Sequence, residues 1–424
     1  MFYEKLFQLF TALTDMEEVF ETESVLIANL EGYILAHEEK IYFLKQKIKE
    51  YQREHSEAAK DVSSYLLNPI NAYLLTKRLT SDWKDVEQLM TDDVGLQFVQ
   101  NLTQYRDILK FPTDEDLLGA ANALIRLQDT YDLDTASLAQ GILNGVQYST
   151  QMSSDDCFEI GRQMYNNRDY HHTIMWMTEA INRLNNDSRL PRSDVLEYLA
   201  FSTFKEGNVK SALEMTNELL TMVPDHQRAR GNKFYYEKEL AKQNENSVLR
   251  GDDGSADVPV DKSLEFQHSR IGPYNYDLPE RKLYELACRG ELKPTNFLIS
   301  KLTCRYMHNN VPFLKIAPLK LEQMSLDPYI VVYHDVMYDN EIEVIKKIAK
   351  PRFKRATVQN HKTGELETAN YRISKSAWLK EEEHKVVRNV VQRTADMTGL
   401  TMETAEELQV VNYGIGGHYE PHYV

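Results

Sequence analysis

A multidomain, mainly α-helical protein with a mixed α+β region at its C-terminal end is the fold the sequence predicts. Three observations carry that prediction. Apolar residues from Ile27 to Tyr51 recur at alternating steps of three and four, and residues 154–240 hold a faint repeat at a spacing of 39. After about residue 276 the pattern changes to short β-type runs between helices. The 424 residues suffice for two to four domains, each with its own core.

The first region, 1–142, is read as a helical coiled-coil dimerisation domain. Its seam runs Ile27, Leu30, Ile34, His37, Ile41, Leu44, Ile48, Tyr51, the a/d pattern of a coiled coil. Glu31, Glu38, Glu39, Lys40, Lys45, Lys47 and Lys49 lie between the seam positions and form a solvated surface. Self-association is the favoured reading, and one long helix packed on its own domain is the alternative. His37 reads as a packing or register residue. Helical patterns continue to 142 with breaks at Pro69 and Pro112. Asp114-Glu115-Asp116 opens a further helix, with acids favourably placed at its N-terminus.

The repeat defines the second region, 143–240. Gly161 matches Ala200, Tyr165 matches Phe204, Asp169 matches Asn208, Thr173 matches Ala212 and Trp176 matches Met215. Small residues at helix crossings, a turn and a closing Pro224 give a tetratricopeptide-like pattern. Arg228, Asn232 and Tyr235 fall on one face of a third helix, and Tyr198 and Phe201 are one turn apart. Such a face can grip a proline-rich peptide, with rings on the pyrrolidines and Arg and Asn on the carbonyls. Ordinary packing between repeats is the competing reading. Residues 241–275 have few apolar side chains and read as a polar linker.

The last region, 276–424, is expected to place a β-core against helices. Tyr329–His334, Arg355–Val358, Tyr371–Ser374 and Leu408–Tyr413 read as strands, with a turn at Gly364 joining the middle two. Asp339 is read as the cap of a helix that ends before Pro351, and a helix through Val386 and Val390 closes at Gly399.

The net charge of −16 argues against a nucleic-acid partner, whose phosphates need a concentrated basic surface. No apolar run approaches the roughly 18 residues of a membrane span. Residues 1–5 show no charged leader followed by an apolar stretch, which reads as a cytosolic chain or one whose signal is missing. Two sequons, Asn101-Leu102-Thr103 and Asn186-Asp187-Ser188, are compatible with secretion. Cys157 reads as a small core residue, while Cys288 and Cys304 could pair in an oxidising compartment, which their spacing does not establish. His418, Glu420 and His422 could share one face of a strand as an iron(II) triad. Their crowding, with Pro421 among them, favours the alternative in which His418 and Glu420 are polar rim residues.

Long motifs then carry a resemblance. Pro69-Ile70-Asn71-Ala72-Tyr73, Arg126-Leu127-Gln128-Asp129-Thr130-Tyr131 and His226-Gln227-Arg228-Ala229 precede Arg372-Ile373-Ser374-Lys375-Ser376-Ala377-Trp378-Leu379. Ala405-Glu406-Glu407-Leu408-Gln409-Val410 and the run from Asn412 to His422 follow. Together they resemble the α-subunit of procollagen prolyl 4-hydroxylase over essentially the whole chain. The resemblance implies a dioxygenase that hydroxylates proline in X-Pro-Gly repeats with Fe(II), 2-oxoglutarate, O2 and ascorbate. It also implies an incomplete double-stranded β-helix (jelly-roll) domain, protein disulfide isomerase as β-subunit, and the endoplasmic reticulum lumen. The peptide would meet Tyr165, Tyr198, Phe201, Arg228, Asn232 and Tyr235, with Phe201 standing where the family often has another tyrosine. The family's intrachain disulfide would fall at Cys288 and Cys304. Tyr413 would contact 2-oxoglutarate and His422 would be the first iron ligand. Val424 occupies the position of the iron-binding carboxylate, and the second iron histidine and the co-substrate lysine have no counterpart here. The sequence therefore leads to two expectations: a hydroxylase subunit by family, and a chain that cannot turn over. The alternative function is a non-catalytic module that binds proline-rich peptides and dimerises.

Overall fold

The computed structural model describes residues 9–185, 188–249, 279–359, 366–368 and 373–419. The chain divides into two compact units, one of residues 13–113 and one of residues 1–12 with 114–424.

In the first unit the apolar and charged pattern read above becomes one long helix, α1 (Leu13–Lys60). The chain returns through α2 (Val62–Leu67), α3 (Pro69–Lys77), α4 (Trp83–Thr91) and α5 (Leu96–Ile108), with a π-helical turn at Arg78–Asp82. Pro69 sits at the first turn of α3, where its missing N–H costs nothing. Three kinds of contact tie α1 to the returning helices. The Phe98 ring packs edge-on to Tyr33 at 6.0 Å, Tyr51 stacks on Trp83 at 5.8 Å, and Lys40 Nζ donates to the Asp92 carbonyl at 2.6 Å. The seam is thereby divided. His37, Leu44 and Tyr51 are half-buried, whereas Leu13, Phe20, Ile27, Ile34, Ile41 and Ile48, seven residues apart, stay between 47% and 73% exposed. Asn101 lies inside α5 and its amide donates to Asn29, so the first sequon is part of a helix–helix contact. Asn186 and Asp187 of the second lie outside the described residues.

In the second unit, α6 (Asp114–Tyr131) and α7 (Thr135–Ala139) lead through the hairpin of β1 (Ile142–Leu143) and β2 (Val146–Gln147) into the repeats. These are α8 (Ser154–Asn166) with α9 (Tyr170–Asn182), α10 (Arg192–Lys205) with α11 (Val209–Met222), and then α12 (Gln227–Leu249). The equivalent positions Asp169 and Asn208 both cap the second helix of their pair, each accepting from a backbone N–H three residues on. Gly161 is buried where α8 crosses α9, and a Cβ there would come within 3.0 Å of Met177. The core joins Cys157, Met164, Trp176, Met177, Ala180, Val195 and Leu199 with Ala121 and Ile125 of α6. The segment 241–249, expected as linker, continues α12, while 250–278 lie outside the described residues.

The C-terminal part begins with α13 (Pro279–Cys288) and α14 (Asn296–Ile299). An antiparallel sheet follows, β3 (Cys304–Met307), β4 (Leu319–Leu326) and β5 (Tyr329–His334), in that spatial order. Helix α15 (Asp339–Ala349) starts where the Tyr338 backbone and the Glu341 carboxylate cap each other. β6 (Lys354–Arg355), β9 (Lys375–Leu379) and β10 (Leu408–Asn412) form a second antiparallel sheet, and β7 (Thr357–Gln359) pairs with β8 (Leu366–Thr368). This differs from the expected pairing. The hairpin partner is 366–368, and the next strand begins at Lys375, because Ile373 and Ser374 are used by the C-terminal loop and by Ala356. Helix α16 (Lys385–Thr398) ends on Gly399 in the left-handed region, φ 73°. It packs with α15 over Leu379, Leu408 and Val410. Among the described residues no helix is long and apolar enough to cross a membrane.

A buried ion network links α6 to α9. His172 donates from Nδ1 to Asp169 at 2.8 Å and from Nε2 to Asp129 at 3.0 Å. Burial alone would lower its pKa, but the two carboxylate hydrogen bonds override it and raise the imidazole to about 9. Glu206, raised by burial and by Asp169, adds a second titrating group to this corner. Because the folded pKa of His172 is raised, its stabilisation is complete below the unfolded value near 6.5 and disappears as pH rises through about 9. Unfolding titrations between pH 6 and 10 should show that decline, and His172→Ala should flatten it. The same substitution should destabilise the unit by about 1.5–3 kcal/mol, since it removes the buried imidazole's hydrogen bonds to two carboxylates. A pH profile identical in the two proteins would refute the assignment.

Candidate functional site

The first helices of the repeats, α8, α10 and α12, touch one another directly and present one shared face. Tyr165, near the C-terminal end of α8, packs edge-on against Tyr198 at 4.8 Å and Phe201 at 5.7 Å. Tyr170, the first residue of α9, closes the group at 6.0 Å from both Tyr165 and Phe201. Edge-to-face geometry of this kind fixes ring orientation without filling every face. Lys205 Nζ sits 5.3 Å over the Phe201 ring, and a second ring group, Phe204 with Tyr235 and Tyr236, continues onto α12. Tyr198 is half-buried and packs on the repeat core, as Phe158 at 5.5 Å shows, while Tyr235 stays 53% exposed.

Charge is organised around the rings. Glu197, one turn ahead of Phe201, accepts a hydrogen bond from Arg228 Nη2 at 3.1 Å, makes an ion pair with its Nε at 2.7 Å and lies 3.5 Å from His226. The guanidinium is thus held by this ion pair while most of the Arg228 side chain faces solvent. Burial pushes the Tyr165 hydroxyl above its ordinary pKa, with Tyr170, Tyr198, Arg228 and Glu197 all in electrostatic reach. Asn232 lies on α12 one turn beyond Arg228 and is half-buried. The sequence did not single out Glu197 or Tyr170. An acid at i−4 from Phe201 on an aromatic face was the available signal for the first, and the position after a helix cap for the second.

The second cluster surrounds the loop after β10. Tyr413 is 43% exposed there, and its ring packs against Gly417. His418 is half-buried, its backbone carbonyl accepting from Ile373 N at 3.0 Å. Burial, with the guanidinium groups of Arg126, Arg281 and Arg355 nearby, holds the His418 imidazole down at about 4. Glu420, His422 and Val424 lie outside the described residues, as does Arg372. Among the described residues no three His, Cys, Asp or Glu side chains converge as metal ligands would.

Cys288 ends α13 and Cys304 opens the exposed edge strand β3, and both are free thiols among the described residues. Cys157 is buried in the repeat core, and burial pushes its thiol up to about 11, as its reading as a core residue requires.

Comparison with known proteins agrees with this layout. Residues 12–145 match the family model described as the prolyl 4-hydroxylase alpha-subunit N-terminal region, and residues 154–242 match the prolyl 4-hydroxylase peptide-substrate-binding domain. The chain is 43% identical over 422 residues to prolyl 4-hydroxylase subunit alpha-2 of Caenorhabditis elegans, covering 98% of this chain and 75% of that one. It is 42% identical over 420 residues to the human subunit alpha-1, covering 98% and 77%. Chicken subunit alpha-2 is 42% identical over the same length, with 98% and 77% covered.

Thiol chemistry offers a direct check on the cysteines. A thiol-reactive reagent added to the native chain should modify Cys304 and Cys288, with Cys157 reacting only after denaturation. Protection of both Cys288 and Cys304 without prior reduction would show that they are joined.

Proposed function

The chain belongs to the prolyl 4-hydroxylase α-subunit family, and we infer that its repeat helices hold a collagen-like, proline-rich strand for hydroxylation at X-Pro-Gly. One observation supports this above the rest: the row of Tyr165, Tyr198 and Phe201 runs beside an arginine clamped by Glu197. A polyproline II strand offers many carbonyl acceptors and few N–H donors, because proline has none. A suitable face must therefore supply rings for the pyrrolidines and donors for the carbonyls. Tyr165, Tyr198, Phe201 and Tyr235 provide the rings, and Arg228, Asn232 and the tyrosine hydroxyls provide the donors. Fixing Arg228 beforehand lowers the ordering cost of binding.

The family's chemistry uses Fe(II) and 2-oxoglutarate, with ascorbate to keep the iron reduced. The residues described here do not make an iron site. His422 would offer one imidazole, and valine at 424 has no lone pair for a metal. No chemical step through iron follows from these residues, so the reading for this chain rests on the peptide face. Protein disulfide isomerase as partner and the endoplasmic reticulum lumen as location rest on family membership.

Self-association through α1 is the second part of the proposal. Six apolar side chains seven residues apart, Leu13 to Ile48, remain exposed, whereas His37, Leu44 and Tyr51 of the adjacent row are half-buried. An uncovered heptad stripe of this length suits the same stripe of a second copy.

Two experiments test these points. Calorimetric titration with a Pro-Pro-Gly repeat peptide should show binding that Tyr198→Ala weakens roughly tenfold, about 1.4 kcal/mol, with the helical circular dichroism unchanged. Glu197→Gln should weaken it through Arg228, and unaltered affinity in both variants would sink the groove reading. In sedimentation experiments the chain should run as a dimer and Ile34→Glu as a monomer. A wild-type monomer at micromolar concentration would remove the coiled-coil assignment.

A further inference from the structure

Arg126 to Tyr131 is a long motif that the peptide face leaves unused. It lies on α6, and its side chains reach in different directions. Gln128 donates to Thr135 at 2.8 Å and accepts from the buried Trp176 indole at 3.1 Å, and Asp129 holds His172 at 3.0 Å. One turn earlier, Asn122 accepts from Asn167 at the end of α8 at 2.7 Å. The Thr130 carbonyl accepts from Arg289, just past α13, at 3.2 Å. Arg126 turns the other way and donates from Nε to the Gly416 carbonyl at 2.9 Å.

The loop that Arg126 grips is closely applied to the same helix. Gly416 has φ 53°, and a Cβ there would lie 2.6 Å from the Ala123 carbonyl oxygen. Gly414 donates to the Thr11 carbonyl at 3.0 Å, and a Cβ on it would strike the Phe10 backbone. Gly414 and Gly416 are therefore explained by close backbone approach, to the Phe10 segment and to α6 respectively. This loop carries Tyr413 and leads on in sequence toward His422.

From these contacts we propose that α6 is a junction that sets the position of the Tyr413–His418 loop relative to the peptide-holding helices, with Arg126 as its positioning residue. Hydroxylation of one proline in a strand held elsewhere requires a fixed offset between the holding face and the reacting residues, since misplacement by an ångström costs rate steeply. Helix α6 supplies that offset. Its buried polar face admits one register on α8 and α9, and its opposite face receives the glycine loop. The junction deepens the function proposed above and rests on it for its role in hydroxylation, whereas its geometry stands on its own contacts.

The test uses the full chain, with Cys288 and Cys304 changed to serine and spin labels placed through Lys205→Cys and Ile415→Cys. Pulsed dipolar spectroscopy should give one narrow distance distribution between repeat and loop. Arg126→Ala should broaden it several-fold while the affinity for a Pro-Pro-Gly repeat peptide stays within twofold. Arg126→Lys, which restores a donor to the Gly416 carbonyl, should narrow it again. Gly416→Ala should broaden it without removing a charge, and so serves if Arg126→Ala fails to fold. A narrow distribution in both Arg126→Ala and Gly416→Ala would overturn the junction. A narrow wild-type distribution, broadened by these variants, in a protein that binds no peptide would support the junction and reject the groove.

Discussion

The pairing of Gln128 and Asp129 with Trp176 and His172 is the constraint on which the second unit depends. Trp176 and His172 are almost wholly enclosed, so the indole N–H and the charged imidazole need protein partners. Gln128 and Asp129 meet that need only if α6 lies on the repeats in one register. A helix held by apolar contacts alone could slide by a turn at modest cost. Here such a slide would strand an indole, an amide and an ion pair together. Everything else on α6 inherits that register, including the direction in which Arg126 points and the surface that Ala123 offers to the glycine loop.

The peptide face follows a related logic at its own scale. Its rings contact one another edge-on, so their orientations are set before any ligand arrives. Its arginine is held by a carboxylate half hidden by neighbouring side chains. Preorganisation matters for a polyproline ligand in particular, because the ligand is itself stiff and contributes little of its own entropy loss. A stiff strand on a preset face leaves few degrees of freedom to freeze. Weak individual contacts then suffice, and they repeat along the ligand.

Much of this was legible in the sequence, and the limits have physical causes. The repeat at a spacing of 39 was readable because helix caps and crossings demand particular residues, and Asp169 and Asn208 do cap equivalent helices. Helix α16 and its close at Gly399 were readable for the same reason. The partner of Arg228 was not, since Glu197 lies on a different helix and only tertiary packing brings the two together. Ile373 and Ser374, the described part of the strand expected at 371–374, are not strand, because β-propensity does not say which backbone groups a neighbouring loop will claim, and Ile373 bonds to His418. Among the candidate site residues, Tyr165, Tyr198 and Phe201 come together as the pattern suggested.

The heptads of α1 show how a correct pattern can still be ambiguous. A seam alternating three and four says that two rows of side chains seek cover, but not which chain supplies it. The structure separates the rows. Leu44 and Tyr51 turn toward the chain's own returning helices, where Trp83 meets Tyr51, and the row from Leu13 to Ile48 remains open. Burial of apolar area contributes about 25 cal/mol per Å², so an open row of six large side chains is a substantial unused driving force. In the self-association proposed above, that row is what a partner would cover. A second copy brings an identical row with the same spacing, and matching of period is what an arbitrary apolar partner would lack.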